Sequence, residues 1–169
     1  SNTKNEPSAI VSAAEISTQP EDYSLADLST SAAGYWQNAK VIDTRREPTA
    51  NPDQIRRRRL IQRPNGRPGL ILVEEILSQN STRPIRRSLM VGDELLVKPV
   101  TPDGSEFKKL NNQLNAESLR QIGSKGLRLV HLPVHTMADY DTALTAYRSA
   151  QGVIAYVDPN YIRTVQNTP

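Results

Sequence analysis

A short apolar run that ends at a proline, Asp93-Glu-Leu-Leu-Val-Lys-Pro99, opens the most orderly part of the sequence. It predicts a β-strand over residues 93–98, because proline has no N–H with which to continue a ladder of backbone hydrogen bonds. The turn Thr101-Pro-Asp-Gly104 follows, and Asp103 or Ser105 is suited to cap a helix after it. That helix is predicted by three apolar residues at helical spacing: Phe107, Leu110 and Leu114.

The same order of elements recurs farther along the chain. A weak strand is predicted at Leu119–Ile122 and a clearer one at Leu127–Leu132, which Pro133 ends. Thr136 and Asp139 have the spacing of a capping box, with Asp in place of the usual Glu. The second helix is predicted by an apolar stripe: Tyr140, Ala143, Leu144 and Tyr147.

The last strand completes the pattern. Gly152 lies where a helix ends, and Val153–Val157 predicts a strand that Asp158-Pro159 stops. The order β-α-β-β-α-β predicts an α+β, ferredoxin-like fold, with two helices on one face of a four-stranded antiparallel sheet and an irregular N-terminal extension. Strand parity alone leaves open which strand residues form the core and which a contact surface: Leu95, Val97, Leu129 and Tyr156.

The chain divides into four predicted regions. They are a mobile arm (1–40), an Arg/Pro-rich extension (41–90), a folded unit (91–163) and a C-terminal tail (164–169). The arm has room for a short helix over Ser24–Ala39, which Trp36 would dock on the main body. In the extension the density of prolines argues against a central strand, and only residues 70–77 are predicted to form a strand.

The arginines are unevenly distributed. Of 15 arginines, 11 lie between Arg45 and Arg87, although the net charge of the chain is only +3. We interpret this segment as a solvated linker or an exposed face. Three alternatives remain: a protease-sensitive arm, a site for an acidic partner and a nucleic-acid contact. A basic run supplies the electrostatic attraction that the last two need.

The sequence excludes several kinds of active site. It has no cysteine, and therefore no disulfide scaffold, thiolate zinc site or thiol nucleophile. His131 and His135 flank Pro133, are not expected to share a helical face and have no evident third ligand, so no metal is predicted. No serine lies in a nucleophile motif such as Gly-x-Ser-x-Gly, and no Gly-rich phosphate loop is present. We predict no cofactor and no enzymatic activity for this chain itself.

Two other classes of partner are disfavoured. RNA-binding domains with the same order of elements stack bases on aromatic residues of the strands, and Tyr156 is the single aromatic residue in the predicted strands. Nucleic acid is therefore an unlikely partner. The longest apolar run, Val153–Val157, is far shorter than the roughly 20 residues that cross a bilayer, so no membrane span is predicted.

The folded unit resembles a known family. Asp93–Pro99, the helix after it and Leu127-Arg-Leu-Val-His-Leu-Pro133 are similar to the propeptides of subtilisin-like serine proteases of the fervidolysin type. The ending Gly152-Val-Ile-Ala-Tyr-Val-Asp-Pro-Asn-Tyr-Ile162 resembles the most specific signature of that family. The signature positions are Gly152, Val153, Asp158, Pro159, Asn160 and Tyr161. The resemblance covers about 70 of the 169 residues.

The resemblance implies a prodomain of a secreted subtilisin-like serine protease precursor. Such propeptides act as intramolecular chaperones and then inhibit the protease until they are cleaved. Their sheet packs on the cognate protease domain, and the C-terminal segment enters the active-site cleft. In this chain the implied cleft-binding residues are Tyr161, Ile162, Arg163, Thr164, Val165, Gln166, Asn167 and Thr168. The implied location is secreted, periplasmic or at the cell envelope, and a stand-alone inhibitor of the same fold is the alternative.

Overall fold

Over the residues that the structure describes, the protein forms a single antiparallel sheet of seven strands with three α-helices. The computed structural model describes residues 14–29, 34–64, 69–80 and 83–163. The strands are β1 (Lys40–Pro48), β2 (Gln54–Gln62), β3 (Leu70–Ser78), β4 (Arg86–Pro99), β5 (Glu117–Ile122), β6 (Leu127–His131) and β7 (Ile154–Tyr161). The helices are α1 (Ala26–Ser29), α2 (Ser105–Gln113) and α3 (Met137–Ser149), preceded by a 3₁₀ turn (Pro20–Tyr23).

Strand β4 joins two halves of the sheet. Its first part, Arg86–Val91, pairs with β3, and its second part, Glu94–Val97, pairs with β6. Along its other edge β4 pairs with β7. The N-terminal half of the sheet therefore consists of β1, β2, β3 and the start of β4. The C-terminal half consists of β5, β6, β7 and the end of β4.

The prediction of a four-stranded sheet with two helices is wrong, because the sheet continues through β4 into three more strands. The Arg/Pro-rich extension is not irregular outside residues 70–77: it forms β1 and β2 as well as β3. Its prolines do not interrupt these strands, since Pro48 is the last residue of β1 and Pro52 lies in the turn before β2. The proline density thus marks a hairpin turn.

A bulge in β4 sets the relation between the two halves. The register between β4 and β7 shifts between Met90 and Leu95. As a result Met90, before the shift, and Leu95, after it, both face the first core, although they are an odd number of residues apart. Gly92 lies within this bulge. A Cβ added there would be 2.7 Å from Leu60 Cδ1 and 3.1 Å from Leu70 Cβ, so a larger residue at this position would force these buried side chains to shift.

The first core lies between one face of the sheet and the helices α2 and α3. From the sheet it includes Leu60, Leu72, Met90, Leu95, Val97 and Val130, and from the helices Phe107, Met137, Tyr140, Ala143 and Tyr147. The Tyr147 hydroxyl donates a hydrogen bond of 2.6 Å to Asn111 Oδ1 and so connects α3 to α2. The predicted capping box of α3 is confirmed, since Thr136 and Asp139 each accept from the other's backbone N–H.

The second core lies on the opposite face of the N-terminal half. It consists of Leu28, Trp36, Ile61, Ile71 and Val73. Two of these residues belong to a segment that we call the strap, residues 14–29 and 34–39, which lies across this face. The strap starts as an isolated antiparallel bridge between Glu15 and Arg46 at the outer edge of β1.

Much of the region that was predicted to be a mobile arm is the strap. Residues 1–13 and 30–33 lie outside the described residues, but the remainder of region 1–40 packs on or pairs with the sheet. The predicted helix over Ser24–Ala39 is present only as the single turn α1. Trp36 does pack on the main body and is 7% exposed, although it lies in a turn.

Candidate functional site

The run Arg56-Arg-Arg-Arg59 lies inside strand β2, near the centre of the N-terminal half. Since side chains alternate along a strand, Arg57 and Arg59 point to the strap, and Arg56 and Arg58 point to the face on which α3 packs. The exposed fractions of Arg57, Arg58 and Arg59 are 7%, 4% and 0%. The interpretation of these arginines as a solvated linker or exposed face is therefore wrong.

On the strap side, one carboxylate gathers three guanidinium groups. Glu75 of β3 is fully buried and accepts hydrogen bonds from Arg57 at 2.8 Å, Arg59 at 2.6 Å and Arg87 at 2.9 Å. Buried charges remain in a folded protein only when they are paired and hydrogen-bonded. The fixed register of β2, β3 and β4 supplies this pairing, because it places Arg57 directly opposite Glu75 and Glu75 directly opposite Arg87.

Two carboxylates of the strap complete the network. Asp22 accepts two hydrogen bonds from Arg46, at 2.6 and 2.8 Å, and one from Arg57 at 2.8 Å. Asp27 accepts two from Arg59, both at 3.1 Å, and one from Arg87 at 3.0 Å. Charge-assisted hydrogen bonds therefore attach the strap to the sheet at two places, Asp22 in the 3₁₀ turn and Asp27 in α1.

The electrostatics of these carboxyls follow from the arginines. Burial alone would raise the pKa of Asp22, but hydrogen bonds from Arg46, Ser17 and Arg57 hold it well below its usual range. Burial would likewise raise the pKa of Asp27. The guanidinium groups of Arg59 and Arg87 outweigh this effect, so that the pKa of Asp27 is lowered. Both carboxyls are therefore ionised at neutral pH, and the strap binds the arginines of the sheet through these two negative charges.

On the helix side, Arg58 attaches α3 to the sheet. It donates to both oxygens of Asp141, at 2.6 and 2.9 Å, and lies 3.3 Å from Glu47 Oε1. Asp43 of β1 accepts from the backbone N–H of Met137 at 2.6 Å and so supports the first turn of α3. Arginines and acids of β1 and β2 therefore hold a covering layer on each face.

The charges beside the strap are internally balanced. A cleft of about 620 Å³ opens there, and its lining includes Asp27, Arg46 and Arg57. Each of these three side chains already forms an ion pair with another residue of the network. Glu21 also lines the cleft, is largely exposed and lies 3.9 Å from Arg46. Both arginines of the cleft are therefore already paired with carboxylates of this chain.

The second candidate surface is the face of the C-terminal half opposite α2 and α3. Strand register places Leu96, Leu129 and Asp158 side by side on this face, with Tyr156 beside Lys98. Leu96 and Leu129 belong to neither core, and Tyr156 is 52% exposed. We call this surface the bare face, because neither the strap nor a helix packs on it among the described residues.

The structure shows which side of the sheet each of four strand residues faces, a question that strand parity alone left open. Leu95 and Val97 lie in the first core at 0% exposure, whereas Leu129 and Tyr156 face the opposite side of the sheet. Leu129 is nevertheless buried, at 5% exposure, so that of the four only Tyr156 is exposed. Tyr156 forms a hydrogen bond with Asp158, which raises the pKa of its hydroxyl. The bare face therefore combines an apolar centre with polar and charged groups around it.

The residues of the predicted signature lie along β7 and the turn before it. Gly152 has φ of +84°, a conformation that favours glycine, and the Val153 carbonyl accepts from Val100 N–H at 2.8 Å. Pro159 is buried opposite Leu95, and Asn160 Nδ2 donates to Glu94 at 3.0 Å. Asp158 lies on the bare face. These residues hold β7 against β4.

The predicted cleft-binding segment starts inside the fold. Tyr161 pairs with Met90 and is 54% exposed. Ile162 N–H donates to the Leu89 carbonyl at 2.9 Å, and its side chain packs against the second core. Arg163 is exposed. The rest of the predicted segment, Thr164, Val165, Gln166, Asn167 and Thr168, lies outside the described residues.

The histidines do not form a metal centre in the described part of the chain. His131 Nε2 lies 3.3 Å from Asp93 Oδ2, and no group of three or more potential ligands is present there. Burial raises the pKa of Asp93, and His131 opposes the shift. Over the same residues, no helix is long and apolar enough to cross a bilayer.

Comparison with known proteins adds no identification. No family model, no curated protein and no solved structure matches the chain. The two candidate surfaces therefore rest on the geometry of the chain itself. Sequence reasoning missed the ionic network, for which the available signal was the pair Glu74-Glu75 within an otherwise apolar strand.

Proposed function

We propose that this chain is a prodomain that assists the folding of, and then inhibits, a secreted subtilisin-like serine protease. The observation that carries the proposal is the bare face, a partly apolar sheet surface next to the strand from which the C-terminal segment continues. A protease domain seated on this face would bury Tyr156 and Leu96. Protease–inhibitor interfaces bury about 1,600 Å² in total, which is the scale of one sheet face together with an extended segment.

The C-terminal segment supplies the second contact of the proposal. Residues 161–163 leave the end of β7 in an extended course beside β4. An extended segment binds a protease cleft through main-chain hydrogen bonds, while alternate side chains fill pockets. The bare face would fix the orientation of the prodomain, and the segment would occupy the cleft.

The arginine-rich region does not favour nucleic-acid binding. Seven of the eleven arginines between positions 45 and 87 form ion pairs with carboxylates of this chain: Arg45, Arg46, Arg56, Arg57, Arg58, Arg59 and Arg87. Binding to phosphates would require these pairs to break. A charge already neutralised inside the fold contributes little to counterion release.

The test is inhibition of a panel of subtilisin-like proteases by the intact chain and by two truncated chains, ending at Pro159 and at Arg163. We expect inhibition at micromolar concentration or below by the intact chain, with a large loss in the chain ending at Pro159. Equal inhibition by all three would move the contact to the bare face alone. No inhibition of any protease, including one encoded with this chain, would contradict the proposal.

A refolding assay separates a prodomain from a stand-alone inhibitor of the same fold. Denatured protease is diluted into buffer with and without the chain, and recovered activity is measured after the chain has been digested. A prodomain increases the recovered activity, whereas a stand-alone inhibitor leaves it unchanged.

A further inference from the structure

The start of the C-terminal segment packs on the second core, which the strap helps to form. Ile162 packs against the second core, in which Leu28 and Trp36 come from the strap and Ile61, Ile71 and Val73 come from β2 and β3. One backbone hydrogen bond, to Leu89, accompanies this contact. The N-terminal and C-terminal parts of the described chain therefore meet in one apolar cluster.

The ionic network sets the position of the strap in this cluster. Asp27 precedes Leu28 directly in sequence and is held by Arg59 and Arg87. Because α1 is a single turn, it has little stability of its own. The ion pairs of Asp27 are consequently what keeps Leu28 at its place in the second core.

We propose that the strap is a positioning element for the C-terminal segment, because it supplies Leu28 and Trp36 to the apolar cluster against which Ile162 packs. This inference rests on the proposed function, because the positioned segment is the one proposed to enter a protease cleft. Holding the first residue of an extended segment reduces the conformational freedom that binding must remove, and such preorganisation increases affinity. The strap acts through Ile162 and does not itself touch the protease.

The contact can be tested on the chain alone, because Trp36 is its only tryptophan. We expect Ile162→Ala to shift the fluorescence of Trp36 to longer wavelength and to increase its quenching by acrylamide. Ile162→Val should give a smaller change, and Arg163→Ala, which alters the adjacent exposed residue, should give none. Unchanged fluorescence and quenching in Ile162→Ala would overturn the inference.

The positioning role is tested by a double-mutant cycle on inhibition. Asp27→Asn should weaken inhibition by the intact chain about 5- to 30-fold, the ratio that corresponds to one or two kcal/mol, with recovery in Asp27→Glu. In a chain that ends at Tyr161 the same substitution should change inhibition less than about 2-fold, since Ile162 is absent and the coupling is lost. A purely structural role would give equal losses in both chains and would overturn the inference.

The outcomes distinguish this inference from the proposed function. If the intact wild-type chain inhibits no protease, the proposed function and the inhibitory role of the strap both fail, while Trp36 fluorescence still decides whether the strap holds Ile162. If Asp27→Asn does not fold, as judged by circular dichroism, Leu28→Val replaces it in the cycle with the same expected dependence on Ile162.

Discussion

The two halves of the sheet are covered in different ways. In the N-terminal half both faces are covered, by the strap on one side and by α3 on the other, and arginines of β2 bind both layers. In the C-terminal half one face carries α2 and α3, and the other is the bare face. Under the proposed function, the first half braces the fold and the second half is the one that a partner would contact.

The same difference separates two kinds of interaction energy. A buried ion pair often gains little over a well-packed apolar pair, but removal of one partner leaves a charge without compensation. A residue on an open sheet face loses little when it is replaced. Substitutions in the two halves should therefore have very different effects on stability.

The largest effect is expected for Glu75→Gln. This change removes the charge shared by Arg57, Arg59 and Arg87 and should lower the free energy of unfolding by about 3–5 kcal/mol. The matched control is Glu74→Gln, the neighbouring residue on the opposite face, whose partly exposed pair with Arg56 is worth about 0–1 kcal/mol. Urea unfolding measures both, and equal small losses would mean that the network does not brace the N-terminal half.

A smaller effect is expected at the junction of the two halves. Gly92→Ala would place a Cβ 2.7 Å from Leu60 Cδ1 and 3.1 Å from Leu70 Cβ, and the overpacking should cost about 1–3 kcal/mol. The control is Gly69→Ala, where no heavy atom lies within 4 Å of the added Cβ. Thermal unfolding should separate the two variants, and an equal midpoint would contradict the close approach of β2 to the bulge.

Acid should act selectively on the N-terminal half. The pKa values of Asp22 and Asp27 are lowered in the folded protein from the ordinary value of 3.8, so the folded state binds fewer protons than the unfolded state. The resulting stabilisation is complete above about pH 4 and is lost as the pH falls below that value. Urea midpoints measured between pH 6 and pH 3 should decrease, and the decrease should be smaller in Asp22→Asn.

Substitution on the bare face should have the smallest effect on stability. Tyr156→Lys, at a half-exposed site, should change the free energy of unfolding by less than about 0.5 kcal/mol. A loss above about 1 kcal/mol in urea unfolding would show that the face is packed against part of the chain outside the described residues.

The elements of the C-terminal half were predictable, and β3 was predicted over residues 70–77, but β1, β2 and the start of β4 were not. Periodicity located α2 and α3 because the apolar stripes that include Phe107 and Tyr140 recur at helical spacing within one short segment. Four consecutive arginines do not resemble a buried strand, since their partners come from other strands, from the strap and from α3, up to 83 residues away in sequence. Only pairing of β2 with β3, which places Arg57 opposite Glu75, makes the arginine run compatible with burial.

Only part of the candidate site was predicted, again because the missing contacts join segments that are distant in sequence. Sequence reasoning named Tyr156 and Leu129 but did not separate them from Leu95 and Val97, because alternation within a strand does not show which of its two faces the helices cover. It also named Ile162 as part of a segment proposed to enter a cleft. Ile162 packs on a cluster that includes Trp36, which is 126 positions earlier in the sequence, and no local pattern reports such packing.

The most direct test of the division into a brace and a docking half is inhibition of a subtilisin-like protease by Tyr156→Lys and by Ile85→Lys. Both residues are large, apolar and more than half exposed, at 52% and 57%, but only Tyr156 lies on the bare face. The account predicts that Tyr156→Lys weakens inhibition at least tenfold while Ile85→Lys retains it. Equal inhibition by the two variants, or none by the wild-type chain, would contradict it.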